Sequence, residues 1–439
     1  MNTPICDFVR RYADNGALRL HMPGHKGAPI LGFEHLDITE ISGADSLYEA
    51  SGIIAESEAN ASALFGCPTF YSTEGSSQCI RAMLCLALLD AKSKGKVPVV
   101  AAGRNVHKTF LSAAALLDLD VRWLLPEDQV SYLSCDIRAE YLDRFLTANP
   151  VSAVYVTNPD YLGHVTDIAA LSAVCHQHEC LLLVDNAHGA YLRFLEPSRH
   201  PMDLGADLCC DSAHKTLPVL TGGAYLHTCP ELATQAKNAL ALFGSTSPSY
   251  LILQSLDAAN AYLAAEYRKT LSNFCGYIAS LKNVLSSHGF TLYGQEPLKL
   301  TMAAKTWGYL GTELAALLER RDIVCEFADP DYLVLMLTPE TGTGGLSRLE
   351  NALLSIPRRD AIPDKPPVFH LPERVLSIRE AVLSPGKTVP ISESLGHILA
   401  SATVGCPPAV PILVCGERID DSALACFRYY GIENCNILC

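Results

Sequence analysis

Lys215 stands in the run Asp211-Ser212-Ala213-His214-Lys215-Thr216, just after a predicted strand from Asp207 to Cys210 and beside a serine and a histidine. A primary amine there can form an imine with an aldehyde, whereas a lysine on its own is an ordinary solvated charge. Upstream residues separate the two readings. The run Cys180-Leu181-Leu182-Leu183-Val184-Asp185-Asn186-Ala187-His188-Gly189 begins as a short apolar segment and reaches a carboxylate at Asp185. That is the pattern of a buried parallel strand, and open α/β sheets bind ligands at the carboxyl ends of their strands. A carboxylate placed there can pair with a protonated pyridine nitrogen, so Asp185 and Lys215 supply two of the three functions that pyridoxal phosphate requires. Tyr71-Ser72-Thr73-Glu74-Gly75-Ser76-Ser77 offers the third, a phosphate cradle. Gly75 lets the backbone come close, and Ser76 and Ser77 bring hydroxyls to the start of a helix predicted over Gln78 to Lys92, whose free N–H groups favour an anion. Plain N-capping by the two serines is the alternative account.

The elements that must hold these residues alternate along the chain. Strands are predicted at Val99 to Ala102, Val121 to Leu125, Ala153 to Thr157, Cys180 to Asp185, Asp207 to Cys210 and Ala224 to His227. Helical stretches such as His107 to Leu117 and Ile137 to Thr147 lie between them, which signals an α/β fold with a mainly parallel sheet. The first ~50 residues read as loop-rich, with Pro23-Gly24, Gly27-Ala28-Pro29 and Gly43 as breakers. After a helix at Pro230 to Leu242, a helical region from Ser249 to His288 leads to a smaller mixed α/β domain from Gly289. Pro357 to Pro367 reads as a linker. The expected organisation is an arm over 1–50, a cofactor-binding domain over 51–288, a small α/β domain over 289–356, the linker over 357–367 and a C-terminal domain over 368–439. Thr341-Gly342-Thr343-Gly344-Gly345 lacks the lysine of a phosphate loop and reads as a turn before a helix from Leu346 to Leu354.

Composition limits the function classes. A net charge of −14 argues against a nucleic-acid partner. With 49% apolar residues and a positive mean hydropathy, the 439-residue chain still has no apolar run of membrane-spanning length. The first residues show no secretory signal, so a cytoplasmic location is expected. The 17 cysteines are scattered without CxxC pairs or zinc-like spacing, so neither a metal nor disulfides are expected. Cys209-Cys210 reads as buried packing, and Cys435 and Cys439 as exposed thiols.

Five motifs in order carry a family resemblance: Leu20-His21-Met22-Pro23-Gly24-His25-Lys26-Gly27; Asp37-Ile38-Thr39-Glu40 with Gly43 and Asp45; Arg104-Asn105-Val106-His107-Lys108; Asp185-Asn186-Ala187-His188-Gly189-Ala190; and Ser212-Ala213-His214-Lys215. Together they resemble the compact ornithine/lysine/arginine decarboxylases of the aspartate aminotransferase fold, which lack an N-terminal receiver-like wing. The resemblance covers nearly the whole chain. It implies a pyridoxal 5′-phosphate enzyme that decarboxylates arginine, lysine or ornithine to an amine of polyamine biosynthesis, works as a homodimer at least, and carries a family-type C-terminal domain. By the same resemblance, Lys215 holds the cofactor, Asp185 pairs with its ring nitrogen and His107 stacks on its ring. His188 sits near the ring hydroxyl, and Gly75, Ser76, Ser77, Ser212 and His214 surround the phosphate. A hydrogen-bonded structural histidine is the alternative for His107 and His188.

Three positions depart from the family pattern. Asn186 stands where the family commonly has Glu, the run Cys406-Pro407-Pro408-Ala409-Val410-Pro411 replaces Tyr-Pro-Pro-Gly-Ile-Pro, and Ser401 takes a place often filled by Glu or Asn. Loss of an acid that reads the substrate's distal cation would alter substrate choice. Glu40 and Asp45 are the remaining acidic candidates for substrate contact, and Glu40 could equally cap a helix or form a salt bridge. Other reactions on the same scaffold, transamination or β-elimination, stay open, as does an inactive cofactor-binding homologue that regulates a partner.

Overall fold

In the computed structural model, the described residues are 1–126, 131–368, 370–404 and 409–439. The Cys406-Pro407-Pro408 part of the departure noted above lies outside them. The chain forms two compact units, residues 1–96 with 168–271, and residues 97–167 with 272–439. Seven strands come first in chain order: β1 (Thr69–Ser72), β2 (Val99–Gly103), β3 (Asp120–Leu124), β4 (Ala153–Thr157), β5 (Leu181–Asp185), β6 (Leu208–Asp211) and β7 (Ala224–Thr228).

The first unit carries β1, β7, β6 and β5, adjacent in that order. β5 and β6 are parallel, with Leu183 opposite Leu208 and Asp185 opposite Cys210, while β7 runs antiparallel to both β6 and β1. Leu182, Leu183 and Val184 are fully buried; each stabilises the sheet by about 1.5–3 kcal/mol relative to exposure. The helix Gly75–Ser93 packs on this sheet through Cys79, Ile80, Met83, Leu84 and Leu86. Phe65 fills the space beside β7, with its ring 5.1 Å from Tyr225 and 4.6 Å from His227. Within the loop-rich first 50 residues there is one substantial helix, Pro4–Asp14; Pro4 fits its first turn, and Asp257 Oδ2 accepts from the N–H groups of Ile5 and Cys6 at 3.0 Å each.

In the second unit β2 lies between β3 and β4, parallel to both. Its further strands are antiparallel: β8 (Leu292–Tyr293), β9 (Lys299–Ala303), β10 (Phe327–Ala328) and β11 (Tyr332–Met336) form one sheet, β12 (Gly386–Pro390) pairs with β15 (Asn434–Leu438), and β13 (Thr403–Val404) pairs with β14 (Pro411–Leu413). Leu399, Ile412, Leu413, Ile419, Phe427 and Ile437 make one of its apolar cores.

Several expectations need correction. Gly342, Gly344 and Gly345 form the first turn of the helix Gly342–Leu354 rather than a turn before it. The buried face Leu346, Leu349 and Leu353 anchors that helix and offsets the poor helix propensity of glycine. The helical region from Ser249 divides into Tyr250–Ala264 and Tyr267–His288. Cys435 is buried on β15, so of the two C-terminal thiols only Cys439 is exposed.

Candidate active site

Two neighbouring strand ends of the first unit build the site. β5 delivers Asp185, which is 2% exposed. Its Oδ1 accepts from the Ala187 N–H at 3.3 Å and from the Cys210 thiol at 3.6 Å. Beyond β6 the chain passes Ser212 into the single turn Ala213–Thr216, and that turn presents Lys215. Lys215 Nζ lies 3.0 Å from Nε2 of the buried His188. The sequence signal that singled out Asp185, His188 and Lys215 thus brings a carboxylate, an imidazole and an amine together at one sheet edge.

An anion cradle adjoins them. Gly75 has φ +70°, a left-handed backbone that glycine adopts without strain, and its N–H is taken by the Gly222 carbonyl at 2.7 Å. The helix it opens receives no side-chain cap from Glu74, so Ser76 and Ser77 sit in the first turn and do not cap it. Ser212 Oγ donates to Ser76 Oγ at 2.7 Å. His214 Nδ1 donates to the Gly223 carbonyl at 2.9 Å, which places its proton on Nδ1. Burial, and then the neighbouring Lys215, lower its pKa and favour the neutral ring. An uncapped helix start flanked by hydroxyls and an imidazole suits a phosphate, and the amine and carboxylate at the strand ends suit the aldehyde and ring nitrogen of pyridoxal phosphate. The residues fit the group.

The remaining candidates have surroundings of their own. Asp45 is engaged by the backbone: its two oxygens accept from the N–H groups of Ser46, Ser51, Gly52, Ile54 and Ala55 at 2.8–3.3 Å, which caps the helix Ile53–Phe65. Glu40 is exposed on a bend. In the second unit, His107 caps the helix Lys108–Leu117, with Nδ1 accepting from the Thr109 N–H at 3.2 Å, and Ser401 is exposed.

Sequence reasoning missed the polar group beneath the strand ends. Asp211, fully buried, takes Nε2–H from His200 at 3.1 Å and from His227 at 3.0 Å on Oδ2, and the Asn186 amide at 2.6 Å on Oδ1. Burial alone would raise the Asp211 carboxyl, but the two imidazoles hold it well below the usual carboxylate range. His227 Nδ1 meets the Thr69 hydroxyl at 2.9 Å. His200, Cys209 and Asp211 are ligand types for a metal, yet the imidazole-to-carboxylate separations are hydrogen-bond lengths, shorter than the roughly 3.3 Å between donors placed tetrahedrally about 2.0 Å from zinc. No spacing motif joins His200, His227 and Asp211, so the sequence carried no signal for them. The Asn186 amide is fully buried and faces Asp211, so the neutral group that stands in place of the family's Glu lies inside the fold, next in sequence to Asp185.

Among the described residues no helix is long and apolar enough to cross a membrane. Residues 3–289 match the profile of the Orn/Lys/Arg decarboxylase family, major domain. A Bacillus subtilis protein, YaaO, is 31% identical over 95% of this chain and 92% of its own length. An arginine decarboxylase of Halalkalibacterium halodurans is 29% identical over 97% of this chain and 93% of its own length. Among solved structures, the lysine decarboxylase LdcF of Francisella novicida superposes with a TM-score of 0.81 at 16% identity, over 100% of this chain and 81% of that one. An alanine–glyoxylate aminotransferase from Nostoc reaches 0.56 at 16% identity, over 69% of this chain and 85% of that one. These two likenesses place the fold among decarboxylases and aminotransferases of one architecture.

Proposed function

We infer the reaction from one premise: the chain belongs to the Orn/Lys/Arg decarboxylase family. It is an amino acid decarboxylase of the pyridoxal-phosphate-dependent kind. The substrate is a basic amino acid, arginine, lysine or ornithine, and the products are the corresponding amine and CO2. Curated relatives named arginine decarboxylase support that substrate class.

One observation carries the mechanism: Lys215 Nζ at 3.0 Å from His188 Nε2, beside the buried Asp185. Lys215 would hold pyridoxal 5′-phosphate, and the helix start at Gly75, Ser76 and Ser77, with Ser212 and His214, would hold its phosphate. When bound, the cofactor's pyridinium ring accepts the electron pair released as the bond from Cα to the carboxylate breaks. Asp185 would pair with that ring nitrogen, where a carboxylate favours the protonated ring. With the cofactor bound, the adjacent Lys215 Nζ and His188 Nε2 would be the local groups able to hold and pass the proton needed at Cα. His107 is assigned to the cofactor ring by family resemblance, and the protein is expected to assemble as a homodimer at least, as light scattering will read.

The deciding experiment incubates the purified protein with pyridoxal phosphate and equimolar arginine, lysine and ornithine, with Lys215→Ala as control, and reads products by mass spectrometry. Agmatine, cadaverine or putrescine made only by the parent protein names the substrate. Failure to form any of the three overturns the basic-substrate reading.

A further inference from the structure

We propose that Asn186 is a positioning residue: by donating to Asp211 it sets the spacing at which β5 and β6 present Asp185 and Lys215. The two strand ends are tied reciprocally. Cys210 donates to the carboxylate of Asp185 at 3.6 Å, and Asn186 Nδ2 donates to the carboxylate of Asp211 at 2.6 Å. A backbone bond from Asn186 N to the Cys210 carbonyl at 3.0 Å runs between them. Each tie lies within one residue of a group assigned to the cofactor: Asn186 follows Asp185, and Asp211 precedes Ser212.

Chemistry fixes which end of the amide matters. A carboxylate can only accept, so the amide nitrogen faces Asp211, and the buried Asn186 Oδ1 has no hydrogen-bond partner among the described residues. The fold makes room for this orientation at Gly189, where an added Cβ would lie 1.9 Å from Asn186 Oδ1. Asp211 is itself immobilised by His200 and His227, so the amide docks on a fixed anion. An acid at position 186 would put a second buried carboxylate against Asp211, and mutual repulsion would delay ionisation of the second of the two until high pH.

The inference rests on Lys215 holding the cofactor, and it gives Asn186→Asp a phenotype that depends on pH. At about pH 6 the two carboxyls share a proton, one donates to the other, and the tie survives. At about pH 9 the proton is gone and the strand ends are pushed apart. Against the parent protein, kcat of Asn186→Asp is expected within about threefold at the lower pH and reduced about 10²-fold at the higher, the scale of a 1 Å misplacement, with KM changed far less. The circular dichroism band of bound cofactor should weaken over the same interval. Gly189→Ala, which displaces the amide and adds no charge, should lose kcat and the band equally at both pH values. Thermal melting without cofactor separates unfolding from misplacement, because a purely structural role would lower the melting temperature and leave kcat of the folded fraction and the cofactor band unchanged. Folded Asn186→Asp whose kcat and band match the parent's at both pH values overturns the proposal. A parent protein that binds cofactor but makes no amine overturns the substrate reading alone, since the dichroism band still reports the tie.

Discussion

Lys215 Nζ and His188 Nε2 lie 3.0 Å apart at the edge of the sheet, within hydrogen-bond distance, so an amine and an imidazole stand where a proton can pass between them. The pairing separates two jobs by mutation. Lys215→Ala removes the attachment point, so borohydride treatment should no longer fix cofactor mass to the protein. His188→Ala keeps that attachment but loses the proton partner, so kcat should fall about 10²-fold. Intact-mass analysis and steady-state kinetics check both outcomes, and a fully active His188→Ala would remove His188 from the proton path.

Asp211 gives an acid-stability signature. Its carboxyl is depressed in the folded protein by His200 and His227, so its contribution is complete above the unfolded carboxyl pKa of about 4 and fades as pH falls toward its lower folded value. Asp211→Ala leaves two imidazoles and an amide without their acceptor and should cost about 3–5 kcal/mol near neutrality. Urea unfolding at a series of pH values should show the gap between parent and variant constant above about pH 5 and narrowing below pH 4. A gap that widens on acidification would reverse the assigned direction.

What the sequence disclosed, and what it did not, follows from the range of the forces involved. β2, β4 and β5 were readable because apolar runs of four or five residues bounded by polar turns suit a buried strand and little else. Asp185, His188 and Lys215 were readable because their chemistry sits at the ends of such runs. β1 escaped notice: it is four residues long, and its partner β7 lies more than 150 positions away. β6 was placed one residue early because Asp211 looks like a strand terminator until His200 and His227, distant in sequence, are seen to bury it. The helix break at Ala265-Glu266 has neither glycine nor proline to mark it.

The second unit encloses a buried ion pair. Arg104 and Glu417 meet at 2.7 Å with side chains 7% and 3% exposed. Glu417 Oε2 also accepts the Val414 N–H at 2.7 Å, and the guanidinium lies 4.9 Å from the Trp123 ring centre. Burial pushes the Glu417 carboxyl up while Arg104 draws it down. Glu417→Gln keeps the shape and the Val414 acceptor but removes the negative charge that faces the buried guanidinium at 2.7 Å, so a loss of about 3–5 kcal/mol is expected; the double variant Arg104→Met, Glu417→Leu should recover most of it. Denaturant unfolding of the three proteins measures the difference, and a double variant no better than Glu417→Gln would show that the packing around the pair matters more than its charge.

Asp45 distinguishes a cap from a substrate contact. Burial alone would raise its carboxyl, but the backbone N–H groups that converge on it hold it below the usual carboxylate range. Its stabilisation is therefore full above the unfolded carboxyl pKa of about 4 and is lost as pH falls through the depressed folded value. Asp45→Asn retains one acceptor oxygen and should be milder than Asp45→Ala, which leaves the first turn of Ile53–Phe65 without acceptors and should cost about 2 kcal/mol, the upper end for a helix cap. Because the carboxylate is spent on the backbone, KM for the basic amino acid should stay within about twofold in both variants once folded protein is counted. A KM raised tenfold or more in Asp45→Asn, with melting unchanged, would return Asp45 to the substrate site; a melting loss at constant KM identifies the cap. The two readings differ in pH as well, since acidification should shrink the stability gap between parent and Asp45→Ala, whereas a substrate contact would leave the stability of the free protein untouched at every pH.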